Sequence, residues 1–540
     1  MKRFLIYIVC LCLVGILGAQ TVPLKLLPFP NEVTVQSGYY PLSSCRLVYS
    51  KTLKNEADYL KQILGEEHGL SVQDGKRGNI QLVLSDQIAN SEGYRLIVDK
   101  DGIRIEGATP QGVFYGIQTF RQLITACHEG KRVPCIVIND APAFKWRSFM
   151  LDDGRAFKGA KEVKRLLDEM AILKMNVFHW HLTEDQGWRI EIKKYPLLTK
   201  IGAHRDSTQL NWYESKVFDG KPFEGFYTQR DIKEIVSYAQ KLHITVVPEI
   251  EMPGHASAAI AAYPWLGSTN EKISVPCSFG VQNSAFNVAS QRTRTFLKDV
   301  LDEVMELFPS KIIHIGGDEV RQEQWNNSPE IQAFMKEKGI GSAAELQVWF
   351  TNYIASYLKS KGRRMMGWND ITGDKLHGFQ SEVNVSSDYQ LSSDAVVQFW
   401  TGDLDLLTKA AKRGYEIVNS LHEYTYLNYN HDKITPGLEY SFAPISLEKA
   451  YSFSPIPKDF PTELRKQIIG LGCQMWGEWI PQVNDMYKMV YPYWAAHAET
   501  GWTNKDRKDY NRFEHSMDYF LTRWIDKKYI DNNNFWIGQH

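Results

Sequence analysis

Lys311-Ile-Ile-His-Ile-Gly-Gly-Asp-Glu319 is the stretch on which the reading of this chain turns. A short apolar run ends in two glycines and then two neighbouring acids, Asp318 and Glu319. Adjacent carboxylates repel each other and add nothing to folding when both face a cleft. Their place at the end of a buried strand therefore points to a site that needs negative charge or a proton. Gly316 and Gly317 let the backbone turn, so that consecutive side chains, which alternate in a regular strand, can address one pocket.

Outward from this stretch, beginning at Trp146, short apolar runs alternate with amphipathic helices, the pattern of a parallel sheet with crossover helices. Eight strand candidates fall at 147–152, 176–182, 245–251, 311–316, 364–368, 395–400, 416–420 and 468–476. Val163, Leu166, Leu167, Met170 and Leu173 recur at helical spacing and predict a helix over 160–174. Thr228 with Asp231 three residues on opens another over 228–242, and a third is expected over 294–308. The fold class is α/β: a (β/α)8 TIM barrel over 143–540, closed by a helix over 506–526. A small α+β accessory domain over 20–142 precedes it, with strands at 80–84, 94–98, 102–106 and 135–139 and helices at 57–67 and 110–123. Pro142 interrupts regular structure at the boundary.

The 540 residues suffice for two or three cores, and 43% hydrophobic with 23% charged is ordinary for a soluble protein. A net charge of -1 gives no electrostatic case for nucleic acid or an anionic membrane. Residues 1–19 read as a secretory signal: Lys2 and Arg3, an apolar run over 4–17, then Gly18-Ala19. The run is short for a spanning helix, so the mature chain is expected in the periplasm or outside the cell, with no stable membrane insertion. Five cysteines follow the signal, an odd number, and Cys127 and Cys135 are near enough in sequence to bridge.

Barrel enzymes work at the C-terminal ends of their strands. Those ends carry Arg155 after strand 1, Glu184 after strand 2, Glu251 and His255 after strand 3, and Asp318 and Glu319 after strand 4. Strands 5 and 6 end in Trp368 and Trp400, strand 7 leads to Tyr426 and Asn428, and strand 8 leads to Trp476 and Glu478. Acids with tryptophan walls and no lysine cluster suit a neutral sugar, whose C–H face stacks on rings while acids grip its hydroxyls. A pair of separate catalytic carboxylates usually flanks the scissile bond from about 5 Å apart or more. Sequence neighbours are poorly placed for that, so one acid is read as the general acid and the other as something different.

His314-Ile-Gly-Gly-Asp-Glu319 resembles the signature of the family-20 glycoside hydrolases, the β-N-acetylhexosaminidases. Five further segments resemble that family in order: Gly107–Phe120, Met150–Arg155, Phe178–Arg189, Pro248–His255 and Gly472–Glu478. The resemblance implies an exo-acting, retaining enzyme that removes terminal β-linked GlcNAc or GalNAc from an oligosaccharide or glycoconjugate, without a cofactor. It implies substrate assistance, in which the 2-acetamido oxygen attacks the anomeric carbon and forms an oxazolinium ring. Glu319 would then be the acid and later the base, and Asp318 would hold the acetamido N–H. Tyr426 would donate to the acetamido oxygen, and Trp368, Trp400 and Trp476 would wall the pocket. Arg155, Glu478 and Asn428 would bind the far ring hydroxyls, and His255 would tune Glu319 through an acid from strand 2. The family usually has Asp where this chain has Glu184 and Glu251.

Two other readings compete. His179 and His181 form a His-x-His on a barrel strand, as in metal-dependent amidohydrolase-type barrels, but strands 5 and 6 end in tryptophan instead of further histidine ligands. Histidines hydrogen-bonded within the barrel are the expectation, with no metal. A sugar-binding protein that has lost turnover is disfavoured by the intact Asp318–Glu319 pair.

Overall fold

A computed structural model describes residues 24–125, 132–380, 390–429 and 444–531. The stretch read as a secretory signal and Cys127 lie outside them. Among the described residues Cys45, Cys135, Cys277 and Cys473 are free thiols, and no helix is long and apolar enough to cross a membrane.

The first unit is a seven-stranded mixed sheet. Its order is Glu32–Pro41, Arg132–Asp140, Tyr94–Asp99, Gly102–Gly107, Ile80–Leu84, Cys45–Val48 and Val72–Asp74. Helices Lys54–His68 and Pro110–Thr125 accompany it. The strand Glu32–Pro41 was not expected from sequence. It is an edge strand with almost every residue exposed, so it lacks the alternation of a half-buried strand.

The second unit is a closed barrel of eight parallel strands. They are Trp146–Asp152, Val177–His181, Thr245–Glu249, Ile312–His314, Arg364–Trp368, Val396–Phe399, Glu416–Asn419 and Ile468–Met475. Strands buried on both faces read as continuous apolar runs, and every residue of Val177–His181 and of Ile468–Met475 is buried. The third and fourth strands stop two residues short of the sequence expectation. In the fourth, Gly316 (φ 63°) and Gly317 (φ 86°) turn the backbone out of the sheet.

Helix Gln229–Lys241 is started by a full capping box. The Thr228 side chain accepts from the Asp231 N–H, and Asp231 returns the bond to Thr228. Helices Ala160–Ile172, Gln291–Leu307 and Tyr510–Asp526 stand close to the expected spans.

The barrel is filled from below. Trp146, Val177, Val247, Ile312, Met366, Val396, Val418 and Ile469, one from each strand, form an apolar plug near the strand N-termini. Above the plug the interior turns polar, and that change of character places the site at the C-terminal mouth.

Buried charges hold the two units together. Arg147 reaches Glu92 Oε2 at 2.5 Å and the Tyr115 hydroxyl at 3.2 Å. Asp140 accepts from Tyr94 and from the Trp502 indole, each at 2.8 Å, and from Lys174 Nζ at 3.4 Å.

Candidate active site

The turn after the fourth strand is built by its glycines. A Cβ on Gly316 would lie 1.8 Å from Glu251 Oε2, and one on Gly317 would lie 2.5 Å from Ile371 Cγ2. Glu319 follows with φ 51°, an unusual conformation for a residue with a side chain, and its N–H donates to Asp370 Oδ1 at 3.1 Å. The result is that both acids face one imidazole. His255 Nε2 lies 3.6 Å from Asp318 Oδ2 and 3.6 Å from Glu319 Oε2.

The opposite nitrogen of His255 is held by two acids from the second strand's end. Nδ1 lies 2.8 Å from Glu184 Oε1 and 3.2 Å from Asp185 Oδ2. Burial pulls the His255 pKa down, but Glu184 and Asp318 outweigh it and hold it well above the usual imidazole range. The longer glutamate at 184 therefore still reaches its histidine. Glu184 is itself fully engaged: Oε2 meets Arg155 Nη2 and His181 Nε2, each at 3.1 Å. With a side chain only 1% exposed, it acts on the pocket through its neighbours.

The two acids of the pair differ in setting. Asp318 has a side chain 12% exposed against 27% for Glu319. Burial, which the charge of His255 only partly offsets, pushes the Asp318 carboxyl up to about 7. Its Oδ1 is buried with no hydrogen-bond partner among the described residues. Glu251 lies behind the turn, and burial beside Asp318 and Glu249 pushes its carboxyl well above the usual range.

The strands at the seam of the barrel hold Arg155. Asp152 accepts from the Arg155 backbone at 3.0 Å, from Arg155 Nη1 at 3.2 Å and from the Gly477 N–H at 3.0 Å, which ties the first strand to the eighth. The guanidinium lies 5.0 Å over the Trp476 ring. The rings close the other side. Trp400 is parallel to Tyr426 at 6.1 Å, and Trp476 stands 5.8 Å from Tyr426 and 5.6 Å from Trp368. Trp368 is 1% exposed, so it forms floor more than wall. Asn428 Oδ1 and Arg155 Nε are buried without hydrogen-bond partners among the described residues. Buried polar atoms are normally paired, so these atoms, together with Asp318 Oδ1, are left available to a polar ligand.

His179 and His181 lie in the polar layer beneath the mouth. Glu249 gathers them: Oε2 meets His181 Nδ1 at 2.7 Å and His179 Nε2 at 2.8 Å. Its Oε1 meets His314 Nδ1 at 3.0 Å and the Trp368 indole N–H at 2.8 Å. Burial pushes His179 down to about 4. For His181 the pull of Glu249 overcomes burial and holds it up at about 10. Among the described residues four groups have the donor spacing a metal would need: His179–Glu249–His314, His181–Glu184–Glu251, Glu184–Asp185–His255 and His255–Asp318–Glu319. The contacts of Glu249 with the three imidazoles and the indole are of hydrogen-bond length.

Sequence reasoning gave no role to Asp185 and Glu249, which it placed at strand ends, and did not single out Asp370 or His377. Asp370 Oδ2 accepts the Trp400 indole at 2.9 Å and Oδ1 meets His377 Nε2 at 2.6 Å, so one buried acid fixes a ring and the Glu319 backbone together. Its position two residues beyond Trp368, at a strand's C-terminal end, was the available signal.

Known proteins show the same organisation. The model of glycosyl hydrolase family 20, catalytic domain, matches residues 144–505, and that of domain 2 of the same family matches 24–141. A beta-hexosaminidase of Vibrio furnissii is 37% identical over 89% of this chain and 77% of its own length. A beta-hexosaminidase of Porphyromonas gingivalis is 34% identical over 93% of this chain, which spans 63% of that relative. The crystal structure of an exo beta-N-acetylglucosaminidase from Vibrio harveyi in complex with N-acetylglucosamine superimposes with a TM-score of 0.80 at 30% identity, covering 93% of this chain and 77% of that one.

Proposed function

The chain belongs to glycosyl hydrolase family 20, and from that premise we propose that it is a β-N-acetylhexosaminidase that releases terminal β-linked HexNAc by substrate-assisted catalysis with retention of configuration. The observation that carries the reading is the convergence of Asp318 and Glu319 on one nitrogen of His255 at 3.6 Å each. Two acids on one side of a pocket suit one proton donor and one acceptor for an amide, in place of two carboxylates flanking a bond.

In the first step Asp318 accepts a hydrogen bond from the acetamido N–H and aims the carbonyl oxygen at C1. That oxygen forms a bond to C1 as the bond from C1 to the leaving oxygen breaks. Glu319 gives its proton to the leaving oxygen. The positive charge of the oxazolinium ring sits beside Asp318, and the hydroxyl of Tyr426 stabilises the carbonyl oxygen. In the second step Glu319 takes a proton from water as its oxygen attacks C1, which reopens the ring and leaves C1 with its original configuration.

Arg155, Glu478 and Asn428 grip the ring hydroxyls far from the cut, which makes the enzyme exo-acting. Trp400 and Trp476 carry the sugar face. The apolar run after Lys2 and Arg3 supports delivery to the periplasm or beyond.

Turnover of a chromogenic aryl β-GlcNAc glycoside tests this reading. The protein should be active, and Glu319→Gln should lower kcat by on the order of 10² to 10⁴. Equal rates for the two would overturn the assigned acid.

A further inference from the structure

Beyond the residues of the family motifs, two loops fold over the end of the pocket that holds Arg155 and Glu478. The buried side chain of Gln209 fastens them. Its amide donates to the Tyr213 carbonyl at 2.9 Å and the Ser215 carbonyl at 2.7 Å, and its Oε1 accepts from the Phe279 N–H at 2.8 Å. The Gln209 backbone adds a bond to the Cys277 carbonyl at 2.9 Å. The loops place three rings around Trp479: Phe279 edge-on at 4.8 Å, Tyr213 edge-on at 5.3 Å and Trp212 stacked at 6.1 Å. From this cluster the Tyr213 hydroxyl reaches Glu478 Oε1 at 3.5 Å.

That contact matters because of how the other acids are used. Asp152 and Glu184 are both bound to Arg155, whereas the side-chain hydrogen bond that the described residues show for Glu478 is the one from Tyr213. Burial, then the charge of Glu478, raises the Tyr213 pKa, so the phenol stays a donor across the working pH range. A bond of 3.5 Å is long, as hydrogen bonds in substrate-free sites often are.

We propose that Tyr213 is a specificity-determining residue: its hydroxyl holds Glu478 in place and, with Trp479 behind it, closes the end of the pocket where the far hydroxyls of the terminal sugar lie, so that the configuration at C4 is read there. The inference rests on the hexosaminidase reading. Glu478 accepts from a hydroxyl on the sugar, and the Tyr213 oxygen, donating to Glu478, offers a lone pair to the same or the neighbouring hydroxyl. A C4 epimer moves that hydroxyl out of the plane in which the two groups meet.

The test is steady-state kinetics of the full chain, Tyr213→Phe and Tyr213→Ala on aryl β-GlcNAc and aryl β-GalNAc glycosides, with thermal melting as a check on folding. Tyr213→Phe keeps the ring cluster and loses the hydroxyl. It should melt with the parent, lower kcat/KM on the preferred epimer about tenfold, mainly through KM, and bring the ratio between the epimers about threefold or more towards unity. Tyr213→Ala should narrow the ratio at least as far. An unchanged ratio in both variants overturns the inference, even if both are slower, because a packing role moves the two sugars equally. A parent protein inert on both glycosides overturns the hexosaminidase reading, and this inference with it. An active parent with an unresponsive ratio overturns this inference alone.

Discussion

Glu184 Oε1 lies 2.8 Å from His255 Nδ1, on the side of the ring away from the catalytic acids. The imidazole thus carries the influence of a fully buried carboxylate to the pair it faces. Among the attractions that keep His255 charged, Glu184 leads. Glu184→Gln removes that charge while keeping the length, so His255 should lose its proton at lower pH. The alkaline edge of the kcat/KM profile should move to lower pH, with kcat/KM down by roughly tenfold to a hundredfold at neutral pH. A profile that keeps its alkaline edge would show that Glu184 serves only to brace Arg155.

Gly316 is held to glycine by two independent facts, a φ of 63° and a Glu251 oxygen 1.8 Å from any added Cβ. Gly316→Ala should destabilise the protein by about 2–4 kcal/mol and lower kcat by more than a hundredfold, because the turn that aims both acids must shift. Gly414 has φ 91° with nothing within 4 Å of its Cβ position. Gly414→Ala is the control for backbone strain alone and should cost about 1 kcal/mol with activity intact. Urea denaturation and turnover together separate the two.

Asp318 links activity to stability with a definite sign. Its folded pKa is raised to about 7, above the value of an unfolded chain, so the folded protein retains a proton that the unfolded chain releases. The stability this gives is present in acid and is lost as pH rises through about 7. Asp318→Asn removes the buried charge, so its melting temperature should exceed that of the parent by more at pH 8 than at pH 5. A constant difference across that range would contradict the burial of a titrating acid here.

The behaviour of Glu67 has the opposite sign. Burial pushes its carboxyl up, but Arg121 and Arg523 outweigh that and hold it down at about 2. This acid joins the accessory domain to the C-terminal helix Tyr510–Asp526, with Arg523 Nη1 at 2.8 Å. Its contribution is complete above the usual carboxylate range and is lost as pH falls towards 2. Glu67→Gln should lower stability by about 1–2 kcal/mol at pH 7, because solvent reaches part of the pair. Differential scanning calorimetry should show the gap closing between pH 5 and pH 2.5.

Much of the fold was legible because its signals are local. The amphipathic spacing of Val163, Leu166, Leu167 and Met170 and the Thr228–Asp231 cap need no knowledge of the rest of the chain. The strand ends followed from barrel geometry, and so did the gathering of Arg155, His255, Trp400, Tyr426, Trp476 and the acid pair at one mouth. Contacts between distant segments were not legible. Asp370 matters through Glu319, His377 and Trp400, and no spacing in sequence connects those four. Glu249 looks like any acid at a strand end until three imidazoles and an indole converge on it. Tyr213 lies in a loop without periodicity, and only folding brings it to Glu478.

The central claim is that the sugar supplies its own nucleophile while the protein aims it and lends a proton. The most direct measurement is kcat/KM on a series of aryl glycosides whose N-acetyl group carries zero, one, two or three fluorines, which weakens the carbonyl oxygen stepwise and leaves the leaving group unchanged. A steep, monotonic fall along the series is the expected result, reaching on the order of a hundredfold or more at the trifluoro compound. A flat series would contradict participation of the acetamido oxygen and require a nucleophile from the protein.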